Sequence, residues 1–103
     1  MSKEIYRQYD AFKSGLQANV LQVLFEKSDK STREMLCTLN SRLITEYGCP
    51  LPKESDHDIY TGNLRVFDLQ KLESRMIPLR RVKTYVWLPL DTRIPDAILN
   101  LTI

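Results

Sequence analysis

The chain has 103 residues, 43% apolar and 27% charged, with a formal net charge of +2. That length holds one domain, and its core needs no disulfide or metal, since such staples become usual only below about 40 residues. No apolar run approaches the roughly 18 residues that span a bilayer, and the opening MSKEIYRQYD lacks the apolar stretch of a secretory leader, so the expectation is a protein that stays in the cytosol and off membranes.

The first segment, SKEIYRQYDAFKSGL, predicts a helix within residues 1–18. Ile5, Tyr9, Phe12 and Leu16 fall on one helical face. Ser2 is a candidate N-cap and Ser14-Gly15 a candidate stop. A helix this short is marginal alone, so its apolar face should dock on the rest of the domain or on a partner.

In NVLQVLFEK, Leu21, Val23 and Phe25 alternate with Val20, Gln22, Leu24 and Glu26, which predicts a strand with the odd residues inward. In TREMLCTLN, Met35, Cys37 and Leu39 share one face, and Glu34, Leu36 and Thr38 the other. The polar KSDKS between them makes a hairpin with a loop of about five residues. Asn40 or Ser41 can cap a short turn through Leu43, Ile44 and Tyr47, ended by Gly48. Pro50 and Pro52 then enforce extended chain. KESDHD reads as an exposed acidic loop, with His57 between Asp56 and Asp58.

NLRVFDL predicts a third strand, QKLES a turn and SRMIPL a fourth strand. Pro78 cannot donate to a ladder, so it marks a strand end or edge. LRRV fits a short 3₁₀-like turn. VKTYVWL predicts a fifth strand, with Val82, Thr84, Val86 and Leu88 opposite Lys83, Tyr85 and Trp87. The tail from residue 89 starts with proline breaks and ends in ILNLTI, whose alternation could pair within the domain or with a second copy. Five short strands, a long excursion after the second and a tight turn before the fifth predict a mainly β, α+β fold. The expected form is a small five-stranded SH3/Sm-like barrel over residues 19–88, with an N-terminal helix and a C-terminal extension over 89–103.

LFEKSDKSTREMLCTLN and NLRVFDLQKLESRMIPLRRV together resemble the phage family of small Sm-like, SH3-type β-barrels named after the WYL-like domain. Lys27, Asp29, Arg33, Met35, Cys37, Thr38 and Leu39 occupy the places of that family's first hairpin. Leu64, Val66, Asp68, Arg75, Ile77 and Val82 match its second block. The resemblance covers about residues 20–88. Lys30 stands where the turn glycine is usual, and Ser74 where a tryptophan is usual. The resemblance implies a phage-encoded accessory protein working in the cytoplasm of an infected bacterium, in host takeover or anti-defence.

Catalytic signatures are missing from the sequence. Gly15, Gly48 and Gly62 are the only glycines, so there is no phosphate-cradling loop, and no nucleophile motif or dinucleotide fingerprint appears. Zinc takes about four ligands. Cys37, Cys49 and His57 do not supply them, so neither metal nor cofactor is expected. The two cysteines fit a reducing compartment better than a disulfide.

Two binding readings remain. The first is a non-enzymatic module that grips a host or phage protein and modulates or inhibits it. Its candidate contacts are Tyr6, Tyr47, Tyr60, Tyr85 and Trp87, since aromatics dominate interface energetics, with core packing as the competing role of each. The second is an RNA or single-stranded DNA binder. There Arg65, Arg75, Arg80, Arg81 and Lys83 would meet phosphates, and Tyr85 or Trp87 would stack on bases. Residues 63–88 carry those cations and Lys71 against Asp68 and Glu73, a balance of +4, while residues 40–62 balance at −2. The small net charge, the acidic loop and Ser74 rank the protein partner ahead. Tail pairing would make the chain a homodimer.

Overall fold

The computed structural model describes residues 3–91, excluding the side chains of residues 3–6, 56 and 57. The expectations for Ser2, for the Ile5, Tyr6 and His57 side chains, for the ILNLTI tail and for a dimer made through it lie outside the described residues.

Helix α1 spans Lys3–Ala18 and does not stop at Gly15. Its last carbonyls are held from outside the helix. Leu39 N–H donates to Leu16 O at 2.9 Å, and the Thr38 hydroxyl lies 3.1 Å from the same oxygen. Asn40 Nδ2 donates to Gln17 O at 2.8 Å, and Asn19 Nδ2 to Gly15 O at 3.1 Å. A helix end leaves about four carbonyls unpaired. Asn19 and the end of the second strand supply their donors, so the helix runs on until it meets them. Tyr9 and Leu16 are buried and Phe12 half-buried, as the helical spacing requires.

Strands β1 (Val20–Glu26) and β2 (Thr32–Thr38) form the expected antiparallel hairpin, in register from Val20 opposite Thr38 to Glu26 opposite Thr32. Residues 27–31 make the five-residue loop. Lys27 N–H donates to Ser31 O at 2.7 Å, and Asp29 accepts from the Ser31 amide at 3.0 Å. Lys30 takes φ +74°, the left-handed conformation that a glycine would adopt freely.

Helix α2 (Ser41–Glu46) starts at Asn40, whose side chain accepts from the Leu43 amide. The stretch read as an acidic loop instead contains a helix, α3 (Asp56–Thr61). Ser55 caps it by accepting from the Asp58 amide, and Gly62 at φ +74° closes it. Local capping outweighed the acidic composition, because both helix ends find partners within the segment.

Strands β3 (Asn63–Asp68) and β4 (Glu73–Pro78) form the second hairpin. Asp68 closes its turn by accepting from the Gln70 amide at 2.8 Å and the Lys71 amide at 3.0 Å. Pro78 ends β4. A 3₁₀ turn over Leu79–Arg81 leads into β5 (Val82–Leu88). β5 pairs with β1, with a register shift between Leu24 and Phe25. Phe25 faces Val82 while Leu24 faces Thr84, which leaves Lys83 as the bulged residue.

The sheet order is β4-β3-β2-β1-β5. The five strands and the N-terminal helix are as expected, but the sheet does not close into a barrel. β4 and β5 are its two edges. The two hairpins meet at a narrow corner, where β2 and β3 share only the pairs Cys37–Asp68 and Thr38–Phe67. Beyond that corner the second hairpin departs from the first, and the 3₁₀ turn bridges β4 to β5 without a ladder between them.

The sheet buries both of its faces. One face, with α1, encloses Tyr9, Leu16, Leu21, Val23, Phe25, Met35, Cys37, Leu64, Val66, Ile77 and Leu79. The other, with α2, encloses Val20, Leu36, Ile44, Phe67 and Leu69. Each such side chain contributes about 1.5–3 kcal/mol on burial. Cys37 and Cys49 are free thiols. Cys37 is fully buried, and loss of hydration raises its pKa well above the usual thiol range, so it serves as a small core residue.

Candidate binding surfaces

The aromatic candidates do not form one surface. Tyr47 lies beside Phe67, with ring centroids 6.3 Å apart. Tyr60 stands apart on α3 and is 62% exposed. Tyr85 and Trp87 come together on β5, opposite Val23 and Leu21 of β1. Their rings lean on Phe12 of α1, at centroid distances of 4.9 Å and 6.0 Å. They are therefore partly structural. Even so, Tyr85 is 50%, Val86 54% and Trp87 37% exposed. All five residues from Lys83 to Trp87 are exposed. Sequence reading did not single out Val86, whose apolar side chain gave no sign that it would lie outside.

The cations converge better. Arg75 on β4, Arg80 and Arg81 on the 3₁₀ turn and Lys83 on β5 lie along one end of the molecule, where Arg80 and Arg81 line two adjoining cavities. The first hairpin adds Lys27 and Arg33, which line a further cavity together with Arg75 and Arg81. These two were missed as candidates because they stand some forty residues earlier in the chain. Arg65 does not join the cluster. Its Nε donates to the buried Asp58 at 3.2 Å, and it lines a separate cavity with Lys13 and Glu54.

Several of these charges already have partners. Arg33 donates to the fully buried Asp68 at 3.1 Å. Arg75 pairs with Glu73. Lys83 lies 3.6 Å from Glu26, and both side chains are partly exposed, so water screens that pair to about 0–1 kcal/mol. Arg80 donates to Thr61 O at 2.8 Å. Arg81 forms no ion pair among the described residues.

Among the described residues, no three His, Cys, Asp or Glu side chains gather as a metal-ligand set, and no helix is long and apolar enough to cross a membrane. No family model, curated protein or solved structure matches this chain.

Proposed function

We propose that this chain is a non-enzymatic accessory module of the phage type, built on an opened SH3/Sm-like plan, that binds an extended segment of a host or phage protein along β5. The observation that carries this reading is the β5 edge. Among the described residues β5 pairs only with β1, so its outer N–H and C=O groups face away from the sheet, and Tyr85, Val86 and Trp87 stand exposed beside them. An exposed apolar edge strand is a template for another strand. A partner strand would take its affinity from main-chain hydrogen bonds and its specificity from these side chains.

The test is a tagged pull-down from bacterial lysate, treated with nuclease and washed at low and high salt, with the native chain beside Val86→Lys. Capture of one stoichiometric protein by the native chain, lost in Val86→Lys, supports the reading. Equal capture by both overturns it.

The basic end favours a second reading, single-stranded nucleic acid. Arg75, Arg80, Arg81 and Lys83 share that end with Lys27 and Arg33. Such binding falls steeply as salt rises. Arg80→Glu with Arg81→Glu should abolish it, whereas a β5 partner should remain bound.

A further inference from the structure

The cavity of about 380 Å³ between the first hairpin and the second has an unusual lining. Lys27 and Arg33 approach from one side, and Arg75 and Arg81 from the other. No carboxylate lines it. Asp68 pairs with Arg33 and Glu73 with Arg75. Phe25 and Met35 belong to its apolar floor, and both are buried.

One donor beside this cavity is left unsatisfied among the described residues. The Nε of Arg75 is buried and has no hydrogen-bond partner, although another nitrogen of the same guanidinium pairs with Glu73. Buried donors are nearly always paired, and a guanidinium is built to donate along two edges at once. An acceptor bearing negative charge would complete it once the partly exposed guanidinium turns toward the cavity. Arg81, free of ion pairs among the described residues, lies on the same cavity. The volume falls within the roughly 300–1,000 Å³ of small-molecule sites.

From these features we infer that the cavity is a phosphate-binding site for a ligand of nucleotide size. The phosphate lies against Arg75, Arg81 and Lys27, and the base against the apolar floor. Arg33, held by Asp68, shapes the wall. The inference rests on the nucleic-acid reading only for the source of the phosphate, which is either a free nucleotide or one residue of a single strand. It is independent of a partner at β5.

The experiment is a nuclear magnetic resonance titration of the full chain with adenosine monophosphate, with adenosine, and with pentauridylate at low salt. The phosphate-bearing probes should shift the Arg75 Nε–Hε signal and the amides around Lys27, Arg33 and Arg81, while adenosine alone should not. Arg81→Met, an exposed change outside any ion pair among the described residues, should weaken binding about tenfold, the scale of one lost charge-assisted hydrogen bond. Arg75→Met should do the same, with a thermal melt to show that it folds. Arg42→Met, an exposed change on α2 outside the cavity, should leave monophosphate binding unchanged.

Tighter binding of pentauridylate than of monophosphate names a strand as the source, and monophosphate binding without pentauridylate binding names a free nucleotide and removes the nucleic-acid reading. Pentauridylate shifts confined to Arg80 and Lys83, indifferent to Arg75→Met and Arg81→Met, would overturn the cavity inference and leave the nucleic-acid reading standing. No shift with either phosphate-bearing probe overturns both.

Discussion

Gly15 and Trp87 are in direct packing contact across the helix–sheet junction. A Cβ built on Gly15 would lie 2.7 Å from Cζ2 of the Trp87 ring and nearer still to Cη2. The absent side chain lets α1 sit against β5. It also accounts for a glycine inside a helix, where it costs about 1 kcal/mol relative to alanine. Gly15→Ala therefore sets a helix gain of that size against overpacking of about 1–3 kcal/mol. The net result should be a loss of about 1 kcal/mol in denaturant unfolding. Trp87 is the one tryptophan of the chain, so its emission should move to longer wavelength as the ring is displaced from Phe12.

Lys30 carries the opposite kind of mismatch. Its φ of +74° places a side chain in the left-handed region, which costs a residue with a Cβ about 1–2 kcal/mol. Lys30→Gly removes that strain and gives back part of it through a freer unfolded chain. Stability should rise by about 0.5–1 kcal/mol, read as a higher urea midpoint with an unchanged slope. No change in midpoint would show that the loop relaxes without cost.

Asp68 holds the corner between the hairpins. It is fully buried, accepts from two turn amides and receives the Arg33 guanidinium. Asp68→Asn keeps the shape but removes the charge opposite Arg33. The loss should be about 2–3 kcal/mol by thermal or chemical unfolding. In Arg33→Met the same Asp68 substitution should cost measurably less, which a double-mutant cycle would record as coupling.

Glu54 links the loop after Pro52 to α1. It receives hydrogen bonds from Lys13 Nζ at 3.1 Å and from the Tyr9 hydroxyl at 2.7 Å. The Lys13 hydrogen bond holds its pKa below the ordinary 4.5 against the opposing effect of burial, and the Tyr9 hydrogen bond adds to the lowering. A carboxylate whose folded pKa is depressed contributes stability above its unfolded value. That contribution is lost as pH falls through the folded value. Glu54→Gln should therefore show a smaller drop in Tm between pH 7 and pH 3 than the native chain. An identical drop would place the acid sensitivity elsewhere.

The strands were legible because alternation is a local signal. Leu21, Val23 and Phe25 are inward as read, and Pro78 ends its strand. The short helix at Asn40 was legible from its cap. Helix α3 was not, although its signals stood in the sequence: Ser55 three residues before Asp58, and Gly62 at the far end. The charges of KESDHD concealed them. Val20, Leu36 and Thr38 were read on the face opposite the core, yet all three are fully buried, because Val20 and Leu36 join a second core on that side with α2 and the Thr38 hydroxyl bonds Leu16 O at the end of α1.

Of the candidate sites, sequence could find the RRVK run and the aromatics of β5, since these are contiguous. It could not bring Lys27 and Arg33 to Arg75 and Arg81, or send Arg65 away to Asp58. What the chain determined by itself was its list of elements, because period, capping and turn chemistry act over a few residues. Tertiary structure alone decided that the sheet stays open at β4 and β5 and which charges meet in the gap. Both follow from the two-pair corner at Cys37–Asp68 and Thr38–Phe67, a contact between segments some thirty residues apart that no local pattern encodes.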